Sequence, residues 1–481
     1  MSQSLVVSGS RLVTPDGVLA GQLLIIDGRI HGIADRDDAL PIDAVPADAT
    51  LIDAGDAYVL PGLIDSHVHF RTPGLTHKED WAHASRAAVA GGVTTVLDMP
   101  NTVPPALTEQ AIVDKAAVIA GQSLVDYAFH LGVDPGTPEL LATLDPAVAR
   151  SAKIFMAGHH TAPIVLREAG QLDRAFAAAA AGRVQLVLHA EDDGLLTLLD
   201  GWWGESAGDT DYAARRPRSG AIVAVAKVIE LVRRHGTRAH ILHLSSREEA
   251  DLVCAAQAAG LPVTFELTGH HLSFTEQDTA QRGARYRLAP AIRSRADQDR
   301  LWAAVRAGQP ATIGSDHSPH TIAEKNSIAM PGMPGVQELA VAVWTGMRRR
   351  WPREDPDVAI GRLVRYLSSG PAELFGLSGK GFLGPGADAD LTFFSPGHRW
   401  LFTAADIQAK CGWSPYEGWT MTGRVTRTIR AGRVVWDAAT GEFGEPDGIW
   451  LTRAAAARLG QGNIGDGIRP LGPLVSELCT T

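Results

Sequence analysis

Two histidines stand one residue apart in DSHVHF, as His67 and His69. On a strand, residues i and i+2 point to one face, so the two imidazoles are offered together. Arg71 follows two residues later, and continued alternation puts it on the same side, where it either grips an anion or ties down a loop. VLHAED then brings His189, ILHLSS brings His243, IGSDH brings Asp316 and SAKIF brings Lys153. Imidazole and carboxylate are good ligands for zinc and similar divalent ions. Taken singly, each strand histidine reads as a packed residue and Asp316 as a turn cap. Taken together, they read as a site for a pair of ions. Four histidines and one aspartate hold two ions only thinly. A lysine ammonium is no ligand, but burial beside cations drives it neutral. Neutral lysine takes up carbon dioxide and becomes a carbamate, an anionic bridge. Such a centre polarises a carbonyl and yields a nucleophile at neutral pH.

These residues need a scaffold that brings distant segments to one mouth. Short apolar stretches alternate with alanine-rich ones from residue 61 to residue 384. The expected strands are GLIDSHVHF, TTVLDMP, VDYAFHLGV, SAKIFMAG, VQLVLHA, RAHILHLSS, LPVTFELT and ATIGSDH. Helical stretches such as ALTEQAIVDKAAVIAG and AIVAVAKVIELVRRHG separate them. Eight strands with helices after most of them predict an α/β fold, a (β/α)8 TIM barrel, whose chemistry sits at the C-terminal strand ends. A doubly wound open sheet is the competitor, and no GxGxxG turn follows the first strand to support it. Residues 1–60 and 385–481 have a different texture, with β-branched strands broken by Asp-Gly pairs. Neither end has enough strands alone, so both are expected to form one small β-sandwich. Segments 201–220 and 320–335 are long for barrel loops and are expected to cover the site. His130, His159, His160, His240, His270 and His271 are read as packing or loop residues.

A net charge of −10 argues against a nucleic-acid binder. The three cysteines, Cys254, Cys411 and Cys479, are far apart, which fits a reducing cytoplasm and not a disulfide framework. No run of about 18 apolar residues appears, so no membrane span is expected. A cytoplasmic homo-oligomer, a dimer or tetramer, acting on a small molecule is the expected setting.

DSHVHFRTPG, GGVTTVLDMPNT, KIFMAG, LHAED, ILHLSS, GHHLSF and SDHSPH resemble, in that order, the cyclic amidohydrolases of the amidohydrolase superfamily. The resemblance spans essentially the whole chain and is closest to the dihydroorotases. It implies a zinc enzyme interconverting N-carbamoyl-aspartate and dihydroorotate in pyrimidine biosynthesis. By this resemblance His67, His69 and Asp316 hold one zinc, His189 and His243 the other, and carbamylated Lys153 bridges them. Asp316 also acts as general base. Arg71, Asn101 of MPNT and His320 of DHSPH are expected to grip the substrate carboxylate. One departure stands out: many dihydroorotases read NPPLR before the last strand, whereas this chain reads APAIR, with Ala289 in the asparagine's place. Hydantoin, dihydropyrimidine or allantoin is the alternative substrate, and a noncatalytic scaffold the third reading.

Overall fold

Strands of three to seven residues, too short for helices and buried along nearly their whole length, form the inner sheet. In the computed structural model, residues 4–452 are described, apart from 37–39, 41–44, 159–160, 163 and 204–211. His159, His160, Cys479 and the segment after residue 459 therefore lie outside the described residues. The strands are β1 (Leu63–Val68), β2 (Val93–Asp98), β3 (Asp126–Gly132), β4 (Ser151–Phe155), β5 (Leu186–His189), β6 (Ala239–Ile241), β7 (Val263–Thr268) and β8 (Thr312–Gly314). Each is hydrogen-bonded to the next in chain order, all in parallel. Val68 bridges in parallel to His317, which joins the first strand to the end of the last. The fold is a (β/α)8 barrel, and each of the eight expected strands is present.

Helices wrap the barrel, and their ends are capped by their own sequence. Ser246 and Glu249 form a capping box on Arg247–Ala258, and Ser294 and Asp297 form one on Arg295–Arg306. The described residues of segment 201–220 are mainly helical, where a loop is expected. Residues up to Trp203 end a helix that starts at Asp193, Tyr212–Arg215 is helical, and Arg218 opens a long helix to His235. Leucines at 195, 196 and 198 and alanines at 221 and 224 explain the helical preference.

A separate sheet uses both chain ends. Its N-terminal strands are Ser4–Thr14, Gly17–Ile26, Arg29–Asp35, Thr50–Asp53 and Tyr58–Pro61. Leu391–Leu401, Thr420–Arg430, Arg433–Asp437 and Glu442–Phe443 come from the C-terminal side. The ends join where Leu391–Leu401 runs antiparallel to Tyr58–Pro61. Asp27 and Gly28, both at positive φ, make the tight turn that Asp-Gly favours. Leu5, Val7, Leu23, Ile25, Phe393 and Ile429 form part of its core. Buried Lys380 fastens this sheet to the barrel: it reaches Asp126 of β3 at 2.6 Å, Asp390 at 2.6 Å and Asp388 at 3.0 Å. No described helix is long and apolar enough to cross a membrane.

Candidate metal centre and active site

The C-terminal strand ends bring the expected residues to one cavity. His67, His69, Arg71, Lys153, His189, His243 and Asp316 all line it. Phe155, Leu288, Ala289, Pro331 and Gly332 complete much of its wall. The strands end early, so several side chains are aimed by irregular backbone. β6 stops at Ile241, two residues before His243. Arg71, His243 and Asp316 all have positive φ, at 63°, 40° and 47°. Such backbone is uncommon for side-chain-bearing residues and concentrates at functional sites. Strand alternation therefore does not place Arg71. β1 ends at Val68, and the turn at Arg71 swings its side chain into the cavity.

His67, His69 and Asp316 form a group whose ligand atoms lie within 4.8 Å of one another. Nε2 of His67 and Nε2 of His69 each lie 3.3 Å from Oδ1 of Asp316. The opposite ring nitrogens are held from behind. Nδ1 of His69 donates to Oδ1 of Asn101 at 2.8 Å, and Asn101 in turn donates to the Thr161 carbonyl at 3.0 Å. Nδ1 of His67 meets Oε1 of Glu266 at 2.6 Å. Burial, with Asp316 adding to it, pushes the Glu266 carboxyl up to about 8. Burial also pushes the His67 imidazole down to about 3 and holds His69 well below its usual value. One proton therefore lies between Glu266 and His67. A cation at Nε2 favours that proton on Nδ1, which leaves the Nε2 lone pair free. Neutral imidazoles with fixed outer nitrogens are what a metal requires, so the donor set fits a divalent ion.

His189 and His243 form a second pair, with Nδ1 of His189 3.1 Å from Nε2 of His243. Nε2 of His189 is bonded to Glu191 at 2.9 Å. Burial raises the Glu191 carboxyl, but Arg216 and His189 outweigh it and hold it well below the usual range. Lys153 lines the same cavity, and its charge lowers all four imidazoles. Its ammonium sits 4.6 Å above the Phe155 ring. Burial pushes it down to about 7, against the pull of Asp316 and Glu266.

Of the three residues expected to grip a carboxylate, Arg71 lines the cavity. Arg71 is 1% exposed; its Nε donates to the Pro319 carbonyl at 3.3 Å, and Nη1 and Nη2 have no hydrogen-bond partner among the described residues. Asn101 and His320 are not on the cavity wall. Asn101 is committed to His69, as above. His320 lies 3.1 Å from the Lys78 ammonium, and its Nε2 donates to the Pro331 carbonyl at 3.1 Å. Both therefore support the residues that face the cavity.

Glu266, Asp65, Glu191 and Arg216 escaped sequence reasoning. Oδ1 of Asp65 accepts from the backbone N–H of His67 and of Ser315, both at 3.1 Å, tying β1 to the end of β8. The only signal for Asp65 and Glu266 was a carboxylate inside an otherwise apolar strand. Gly314 makes room for Glu266: a Cβ there would meet its Oε2 at 2.6 Å and the Cβ of His67 at 3.1 Å.

Fold and site together define a barrel hydrolase built around a histidine–aspartate centre able to hold a metal ion. The chain belongs to the amidohydrolase family, which it matches over residues 58–435. An allantoinase of Streptomyces avermitilis is 34% identical over 455 residues, covering 93% of this chain and 98% of that protein. A dihydroorotase of Halobacterium salinarum is 36% identical over 436 residues, covering 89% of this chain and 97% of that protein. The solved structure of an L-hydantoinase (dihydropyrimidinase) from Arthrobacter aurescens matches with a TM-score of 0.86 at 28% identity, covering 94% of this chain and 100% of that one. The chain is thus a cyclic amide hydrolase of this family.

Proposed function

We propose that the substrate is a cyclic amide bearing a carboxylate, with dihydroorotate and N-carbamoyl-aspartate as the interconverted pair of pyrimidine biosynthesis. One observation carries this reading: the buried Arg71 guanidinium lines the cavity with two nitrogens unpartnered among the described residues. A buried cation with free donors is costly unless an anion completes it, and a carboxylate matches the guanidinium fork. Two zinc ions, one at His67, His69 and Asp316 and one at His189 and His243, with a carbamate on Lys153 between them, would polarise the ring carbonyl and render water nucleophilic. Asp316 takes the proton of the attacking water and returns it to the ring nitrogen as the C–N bond breaks. Arg71 orients the ring through its carboxylate. Phe155, Leu288 and Pro331 shield the reacting carbon from bulk water.

A neutral ring amide is the second reading. It is favoured by Ala289 on the cavity wall and by Asn101 and His320 being bonded elsewhere. The test is a substrate panel with zinc and bicarbonate: dihydroorotate, dihydrouracil, hydantoin and allantoin. Dihydroorotate is expected to turn over best, and Arg71→Met to raise its KM by roughly 10- to 100-fold, the worth of charged hydrogen bonds. Turnover of neutral rings alone, with Arg71→Met indifferent, refutes the carboxylate reading.

A further inference from the structure

Lys325 is fully buried on the short helix Ile322–Ser327, just beyond the site, and makes no ion pair with any described residue. Its ammonium instead donates to three backbone carbonyls: Met330 at 2.7 Å, Gly332 at 2.9 Å and Arg287 at 3.3 Å. In its charged form the group has three donors, one for each of these carbonyls. No carboxylate offsets its burial, and burial with the Arg287 charge pushes the group down to about 7, so the three bonds hold by geometry and not by charge.

The acceptors are not scattered. Met330 and Gly332 flank Pro331, and Pro331 and Gly332 line the cavity. Arg287 immediately precedes Leu288 and Ala289, which line the cavity too. Lys325 thus bolts together two chain segments, far apart in sequence, that make one wall. The Gly332 N–H also donates to the Arg287 carbonyl at 2.9 Å. The backbone there admits no slack. Gly332 has φ of 134°, and a Cβ on it would meet the Ser318 carbonyl oxygen at 2.5 Å and the His320 ring at 3.0 Å. Lys78 holds the same segment from outside, 3.0 Å from Glu324 and 3.4 Å from Sδ of Met330.

We infer that Lys325 is a positioning residue that sets ring specificity, by fixing the wall of Pro331 and Gly332 against that of Leu288 and Ala289. It touches no reacting atom. Its effect reaches the substrate through the distance between those two segments, and so rests on the ring-amide reading above. A loosened wall admits rings of other shapes and holds the favoured one less closely.

The full-length protein and Lys325→Met, which keeps length and loses the donors, test this in two ways. In hydrogen exchange read by mass spectrometry, 287–290 and 328–333 should exchange at least tenfold faster in the variant, with β1 and β5 unchanged. Equal exchange in the two proteins overturns the proposal. So does rapid exchange of the Gly332 amide in the wild type, which needs no variant to fold. In kinetics, the ratio of kcat/KM between dihydroorotate and hydantoin should fall at least tenfold at unchanged metal per chain, and Lys325→Arg should restore part of it. A uniform drop in kcat with the ratio kept overturns the specificity role. If the wild type turns over neither ring, the substrate reading fails, while the exchange measurement still decides the wall.

Discussion

Glu266 stands 2.6 Å behind His67, and this contact decides which imidazole nitrogen is left to face Asp316. An outer carboxylate on a ligating histidine fixes its tautomer and raises its basicity, and its loss typically costs 10- to 100-fold in metal affinity. Glu266→Leu should therefore weaken zinc retention by about that factor in a chelator competition. Glu266→Gln, which can still accept from Nδ1, should lose less. Wild-type retention by the leucine variant would remove Glu266 from the metal centre's support.

Lys153 is buried among imidazoles, and burial pushes its ammonium down to about 7. A readily neutralised amine is what carbamate formation needs. Protein stripped of metal and carbon dioxide should regain activity with zinc only when bicarbonate is present. Lys153→Ala should lose activity by roughly 10³-fold or more, in the range of an essential catalytic group, and a short carboxylic acid should restore a fraction. A carbamate resonance in 13C spectra of bicarbonate-labelled protein gives a direct readout. Full activity of Lys153→Ala would end the bridging role.

Lys380 joins the two sheets through Asp126, Asp388 and Asp390. Its carboxylate partners hold it protonated well above the usual lysine range, although burial alone would lower it. Breaking a buried pair by removing one partner costs about 3–5 kcal/mol, because charges are left uncompensated. Lys380→Met should lower the urea midpoint by a corresponding amount. Double neutralisation, Lys380→Met with Asp390→Asn, should recover part of the loss. A single variant as stable as wild type would show that the cluster does not secure the junction.

Glu324 caps the helix that bears Lys325 and pairs with Lys78 at 3.0 Å. Burial raises its carboxyl, but Lys78, the Thr321 backbone and His77 outweigh this and lower it to about 2. The folded value lies below the unfolded one. Its stabilisation is therefore present above the ordinary value of 4.5 and fades as pH falls toward about 2. The stake is roughly 1–2 kcal/mol after solvent screening. Thermal unfolding of wild type and Glu324→Gln should differ at pH 6 and converge near the acid end of that window. A gap that persists at the acid end would count against the linkage.

The barrel was legible because its signals are local. Apolar runs of strand length, alanine-rich helices between them and Asp-Gly turns at the N-terminal end each act over a few residues. The cavity-lining histidines and Asp316 were legible for the same reason: a barrel collects its strand ends at one mouth, whatever the loops do. Arg71 was legible as a residue type, but not in its placement. Alternation predicts a strand side chain, and instead the backbone leaves the strand and turns through φ of 63°. The contacts of Asn101 and His320 were set by partners far along the chain, Thr161 and Lys78 among them. Glu266, Arg216 and Lys325 could not be assigned from sequence, because a buried charge takes its meaning from what surrounds it. The sequence by itself determined which residues reach the mouth of the barrel. Only the tertiary structure decided which of them face the substrate and which hold the others in place, since that depends on hydrogen bonds closed between segments tens to hundreds of residues apart.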